Sequence, residues 1–367
     1  MVKKVLIGLL ALMLVGTALL AGCGGSPDNL DENVGITITD MANRTVTIKG
    51  PVERAVAIGP GALRLYTYIN GTDKLVGVEQ IEVDSAVGRP YALAHPELAD
   101  LPVIGQGGPQ NVPDPEKILA VSPDVIFSTY GEELADIDNL QAQTGIPVVE
   151  LSYGEVAVFD PAVYDSLKLI GQIMNKEQRA QEVVDYMLGC HADLNRRTQD
   201  IPEQDKPRVY IGALGSRGSH GIESTRGNNT LLNAINAVNV ADETGRTGSF
   251  MIDKEKLLAW DPDILIIDAG GLAMVQEDYK KNPGFYRALT AVKNGRIYRQ
   301  LPYNYYTTNL DTAMADAYFL GKTIYPESFA DIDPAAKADE IYSFLLGKPL
   351  YQRMCQDFGE FAQIRLD

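Results

Sequence analysis

From Ile36 onward, short β-branched or wholly apolar runs take turns with segments whose apolar residues recur every three or four positions. Residues 36–40 (ITITD) and 44–48 (RTVTI) alternate strictly around a turn and predict a hairpin. Residues 55–58 predict a strand, 62–69 a helix and 75–78 a strand, an order that implies a parallel sheet. Residues 125–127 and 146–151 add two more strands. Between Asp160 and Thr198 the strand signal stops. Leu167, Ile170, Ile173 and Met174, then Val183, Val184, Met187, Leu188 and Leu194, fit helical spacing. Residues 176–198 alone would form a helix of roughly 35 Å. After the polar break QDIPEQDKP, the pattern predicts a strand over 208–211, a helix over 230–236, a strand over 296–300 and a helix over 311–324. The remaining C-terminal residues read as helices.

One piece of this pattern is written twice. DPEKILAVSPDVIFSTYG (114–131) and DKEKLLAWDPDILIIDAG (253–270) lie 139 positions apart and share 8 of 18 residues. Unrelated segments of average composition would share roughly one. Each copy has an aspartate at a helix N-cap position (Asp114, Asp253), and a proline follows the first at N1. A glutamate comes next in the first turn (Glu116, Glu255), where negative charge suits the helix dipole. Leu119 and Leu258 are expected to face the core, and Pro-Asp ends each helix before a buried strand. Two copies so far apart mark a duplicated architecture, not a stacking array. The expected fold is α/β: two parallel-sheet lobes joined by one long helix, with a ligand cleft between them.

The first residues change the picture. Lys3 and Lys4 precede an apolar run that ends in Leu20-Ala21-Gly22-Cys23, as a secretory signal peptide does. The run is also about long enough for an uncleaved membrane helix, but small residues directly before a cysteine, followed by a polar tether, favour cleavage. The expected organisation is leader 1–22, tether 23–35, first lobe 36–159, linking helices 160–200, second lobe 207–325 and C-terminal helices 326–367. Loss of Lys3 and Lys4 takes the net charge from -17 to -19. So acidic a body argues against nucleic acid and against anionic lipid headgroups. Cys190 and Cys355 sit in helical patterns without metal-like spacing and read as buried small hydrophobes, although export would permit a disulfide.

LAGC resembles a bacterial lipobox, whose cysteine is acylated and becomes the mature N-terminus. Together with TDMANRTVTIKGPVERAVAIGPGALRLYTYINGTDKLVGV and EKILAVSPDVI, it resembles the class III periplasmic substrate-binding proteins that serve ABC importers of ferric siderophores, haem and cobalamin. The likeness covers most of residues 36–325. It implies an extracytoplasmic monomer held to the membrane through lipidated Cys23, and a partner that is a permease dimer with its ATPase. It also implies that Glu116 and Glu255, one per lobe, meet arginines of that permease.

Ligands of open α/β sheets bind outside the carboxyl ends of the strands. The loops expected there carry Arg64 at a helix N-terminus, Arg89 and Tyr130 in the first lobe. In the second they carry Arg217, His220 and Arg226 within LGSRGSHGIESTRGNNT (214–230), and Tyr303, Asn304, Tyr305 and Tyr306 within LPYNYYTTN (301–309). Cations, hydroxyls and amphipathic rings in that mixture suit an anionic or oxygen-rich ligand. Only His95, His191 and His220 are available as imidazoles, which disfavours bare Zn or Mn and predicts no metal site and no cofactor. A chelated metal complex and a molybdate-like oxyanion both stay open.

Enzyme readings are weaker. Gly59-Pro60-Gly61 has Arg64 where a dinucleotide fingerprint needs its third glycine. LGSRG lacks the first glycine of a nucleophile elbow. A secreted hydrolase using paired carboxylates is the remaining alternative.

Overall fold

The computed structural model describes residues 35–366 apart from 109, 110, 132, 133 and 217. Cys23 and Arg217 therefore lie outside the described residues. In the first lobe β1 (Ile36–Thr39) and β2 (Thr45–Ile48) form an antiparallel hairpin with Ile38 opposite Val46. β3 (Ala55–Ile58), β4 (Val125–Ser128) and β5 (Val148–Glu150) make a parallel sheet with β4 in the centre. The second lobe contains β6 (Arg208–Gly212), β7 (Ser224–Gly227), β8 (Val238–Asn239), β9 (Gly248–Met251), β10 (Ile264–Asp268), β11 (Ile297–Gln300) and β12 (Ala362–Gln363). Its sheet runs β12-β11-β10-β6-β8, parallel except for β12, while β7 and β9 form a separate antiparallel ribbon.

Three local expectations change. Residues 75–78 do not form a strand; the run is so short that it makes only the single bridges Ala55–Leu75 and Val78–Val103. Part of the segment 214–230 is the strand β7. The C-terminus adds β12, whose two residues are too few to write a period.

Strand alternation splits the core. Ala55, Ala57, Ile264 and Ile266 belong to one apolar core that continues through both lobes. Val56 and Ile58 face a smaller cluster on the outside of the first lobe, and Leu265 and Ile267 face another on the outside of the second. The helices Pro161–Met174 and Glu177–Thr198 connect the lobes, and their Leu167, Ile170, Val183, Val184 and Met187 lie in the shared core.

The repeat recurs as three-dimensional detail. Its helices, Pro115–Ala120 and Lys254–Trp260, each lead into the central part of a sheet, β4 and β10. Asp114 accepts from Lys117 N at 3.2 Å and Asp253 from Lys256 N at 2.7 Å, so both N-caps form. Asp124 Oδ2 takes the Arg54 N–H at 2.8 Å, and Asp263 Oδ2 takes the Arg208 N–H at 2.8 Å. The guanidinium of Arg54 donates to Val121 O and that of Arg208 to Trp260 O, covering carbonyls at the ends of the two helices. Leu119 and Leu258 do not face the core: they are 43% and 38% exposed, whereas Ile118 and Leu257 are buried. With each helix pinned at its cap, one residue turns inward and the next, about 100° further round, turns out.

Candidate functional site

The strand ends of both lobes converge on one seam, and the loop at residues 301–309 closes it from the second lobe. Two consecutive residues of that loop, Tyr306 and Thr307, hold positive φ angles of 49° and 65°. This backbone is costly for side-chain-bearing residues, and what holds it is a set of contacts across the seam. Tyr306 Oη donates to Glu79 Oε2 at 3.0 Å and accepts from Gly108 N at 3.0 Å. Glu79 also accepts from Tyr130 Oη at 2.6 Å and from Gly59 N at 2.9 Å. Burial pushes the Glu79 carboxyl up to about 6, against the pull of its three donors. Burial, and next the Glu79 charge, raise both Tyr130 and Tyr306, so both phenols stay protonated donors.

Arg64 forms the second tie. It is fully buried, and its guanidinium donates to Asn309 Oδ1 at 2.9 Å, Tyr153 Oη at 3.0 Å and Tyr305 O at 2.9 Å. Each of its three nitrogens thus has a protein partner, and it fastens the helix Ala62–Asn70 to the second lobe. Gly61 makes this approach possible: with φ of +90°, a Cβ there would stand 2.5 Å from Thr307 Cγ2. Arg89 is equally buried and ion-paired to Glu82 at 2.6 Å, beneath the half-exposed ring of Tyr305 at 5.4 Å. Only Nη1 makes that pair: among the described residues Arg89 Nε and Nη2 are buried without a partner.

The other expected residues divide between loop structure and open surface. His220 Nε2 contacts Ser216 O at 2.7 Å and folds its own loop. Asn304 donates to Gly215 O at 2.6 Å, joining two loops of the second lobe. Tyr303 is buried. Arg226 is partly exposed, and among the described residues its guanidinium makes one contact, 3.4 Å to Glu155 O. His95 contacts Glu97 at 3.1 Å and His191 stacks on Phe159, so the three imidazoles are engaged locally. Among the described residues no group of three or more His, Cys, Asp or Glu is placed to hold a metal ion. Cys190 and Cys355 are both free thiols.

A cavity of about 420 Å³ opens at the strand ends of the first lobe. Asn111, Ser128, Thr129, Tyr130, Asp136 and Asn139 give it hydroxyls, amides and one carboxylate, and Pro60, Ile137 and Leu140 give it apolar wall. No cationic side chain lines it among the described residues. Its size lies in the range of small-molecule sites.

Residues absent from the sequence reading complete the picture. Glu79 and Tyr153 organise the seam and Glu82 holds Arg89 and Tyr91 within the first lobe; only Glu79, an acid directly after an apolar run, carried a signal. Deeper in the second lobe, Asp268 ends β10, Gln300 ends β11, and Asp316 accepts from Leu301 N at 3.1 Å. All three are buried, and among the described residues Asp268 Oδ2, Asp316 Oδ2 and both amide atoms of Gln300 have no hydrogen-bond partner. Burial raises the Asp268 carboxyl to about 7; burial and then the Asp268 charge raise Asp316 well above the ordinary range.

Comparison with known proteins agrees with this architecture. Residues 56–302 match the profile of a family described as periplasmic binding protein. An uncharacterised ABC transporter substrate-binding lipoprotein of Bacillus subtilis, YvrC, is 24% identical over 88% of this chain and 98% of its own. The molybdate-binding protein MolA of Haemophilus influenzae is 25% identical over 83% of this chain and 89% of its own. Its molybdate-bound structure superimposes with a TM-score of 0.67 over 86% of this chain and 98% of that one. The Fe(3+)-citrate-binding protein YfmC of Bacillus subtilis is 24% identical over 80% of this chain and 88% of its own.

Proposed function

The chain belongs to the periplasmic binding protein family, the substrate-binding components of ABC transporters, and we propose that it captures a chelated metal complex and delivers it to a permease. The observation that carries this reading is the cavity of about 420 Å³ at the first lobe's strand ends. It is roomier than one tetrahedral oxyanion needs. Its hydroxyl, amide and carboxylate lining, without a cation among the described residues, suits the outer surface of an oxygen-rich chelate. YfmC, by its name a Fe(3+)-citrate binder, is in keeping with that chemistry.

A second reading, molybdate or tungstate, draws on the similarity to MolA and on partly exposed Arg226, whose guanidinium makes one contact among the described residues. The LAGC sequence supports acylation at Cys23 and an extracytoplasmic, membrane-anchored location. Exposed Glu116 and Glu255, at equivalent positions of the two lobes, are the proposed contacts to two permease subunits.

The test uses soluble protein beginning at Gly24, stripped of ligand and refolded. Ferric citrate, ferric siderophores, haem, corrinoids, molybdate and tungstate are screened by thermal shift and native mass spectrometry. A shift of several degrees with the bound mass of an iron chelate or macrocycle is expected. A response to the oxyanions alone would replace the chelate reading with the second one.

A further inference from the structure

Among the described residues nine large hydrophobic side chains are exposed, and four of them fall into two pairs with the same 139-residue offset as the internal repeat. Val112 (80% exposed) corresponds to Met251 (52%), and Leu119 (43%) to Leu258 (38%). Glu116 stands between Val112 and Leu119 in sequence, and Glu255 between Met251 and Leu258. Leu119 and Leu258 follow these glutamates by three positions, the spacing that puts two side chains on one helical face. Each lobe shows a depression beside this helix: Val112, Glu116 and Leu119 border one, and Met251 and Glu255 the other, with exposed Leu258 on the same helix just outside its lining.

The fold does not require this. The helices are fixed by their aspartate caps and by buried Ile118 and Leu257, and neither copy uses its outward leucine. Exposed apolar residues scattered singly need no explanation, but the same trio in the same register on two lobes is not scatter. The neighbouring lysines are occupied: Lys117 pairs with Asp114 at 3.3 Å and Lys256 lies over the Trp260 ring at 5.2 Å. Among the described residues neither glutamate forms an ion pair, so the partner must bring the cation.

We propose that the two trios form one bivalent docking surface for the transporter. Each half of the permease would offer a cation to Glu116 or Glu255 and an apolar recess to the adjacent Leu119 or Leu258. The inference rests on the docking role proposed for the glutamates and adds that apolar burial supplies much of the affinity. A buried leucine anchor is the kind of contact whose loss is felt as tenfold or more. Because the two sites are linked through a rigid body, either one depends on the other for tight binding.

The experiment measures binding of the protein to its host's permease–ATPase complex in lipid nanodiscs, and its stimulation of ATP hydrolysis. The variants are Leu119→Gln, Leu258→Gln, the double variant, Glu116→Ala with Glu255→Ala, and a control pair, Leu188→Gln with Met274→Gln, which are exposed to a similar degree elsewhere. Melting temperatures verify that each variant folds. Each leucine variant is expected to weaken binding about tenfold or more, and the control pair to leave it within about twofold. If the glutamate pair abolishes binding while the leucine variants match wild type, the docking role stands and the apolar proposal is overturned. If neither class matters, the docking role falls as well. A loss confined to one leucine overturns the two-site arrangement. Equal loss of binding to protein-free vesicles of phosphatidylglycerol and phosphatidylethanolamine would make the occupant lipid, and overturn it too.

Discussion

Tyr306, carried by the second lobe, places its phenol 3.0 Å from the Glu79 carboxylate of the first, and the same oxygen takes up the Gly108 N–H. The contact crosses the seam between the lobes, and it holds a backbone that the side chain itself disfavours. The loop is thus closed by its contacts and not by its own conformational preference.

Tyr306→Phe should release it. The substitution strands the buried Gly108 N–H and leaves Glu79 Oε2 with the Gly59 N–H alone, at a cost of about 1–2 kcal/mol. A fall of about 2–4 °C in melting temperature is expected. Hydrogen exchange across residues 303–309 should accelerate while the rest of the second lobe is unchanged. Unaltered exchange in that loop would mean that something other than Tyr306 holds it.

Arg64 makes a sharper case. A ligand-binding arginine can be removed with little effect on the ligand-free fold. Arg64→Lys should instead lower the melting temperature of ligand-free protein markedly, because one ammonium cannot reach Asn309, Tyr153 and the Tyr305 carbonyl together. The unmet acceptors cost on the order of 3 kcal/mol. A variant that melts like wild type would return Arg64 to the list of ligand contacts.

What Arg64 touches could not be read from its neighbours in the sequence. Local pattern located the two lobes, because strand and helix periods are written in consecutive residues: ITIT, AVAI and ILII all became strands. The repeat exposed the duplication, and its capping aspartates behave alike in both copies. Contacts made across the seam are not written locally. Arg64 and Tyr305 are separated by 241 positions, and nothing near Arg64 signals that its partners are carbonyls of a distant loop. Leu119 shows the opposite failure: a leucine in a helical pattern suggests a core position, and only the rotation of a short capped helix reveals that Ile118 fills it. Asp268 was not singled out either: an acid ending an apolar strand is common, and its burial beside Gln300 and Asp316 required the tertiary fold.

That buried trio predicts a pH dependence. Asp268 titrates near 7 in the folded chain and near 4 when unfolded, so the folded state binds the extra proton between those values. Its contribution to stability is complete below the unfolded value and is lost as pH rises through about 7. Asp268→Asn keeps an oxygen for the Gly270 N–H and removes the ionisation. Relative to wild type, the variant should gain roughly 2–4 kcal/mol on going from pH 4 to pH 8. Parallel denaturation midpoints across that range for the two proteins would show that Asp268 does not carry the effect.

The lobes share more than a seam. Leu167 and Ile170 of one connecting helix and Val183, Val184 and Met187 of the other sit in the same apolar core as Ala57 of the first lobe and Ile266 of the second. A hinge needs segments that absorb backbone rotation, whereas a 22-residue helix packed along its length resists it. Opening the lobes widely would also expose that core to water, at roughly 25 cal/mol for each Å² uncovered. Ligand capture should therefore proceed by local release of the loop at 303–309, with the lobes nearly fixed. Small-angle scattering of the soluble protein with and without a ligand found by the thermal screen should differ in radius of gyration by less than about 1 Å, as expected when a packed helix replaces a hinge. A change of several ångströms would mean that the connecting helices bend, and the shared core would then have to divide on opening.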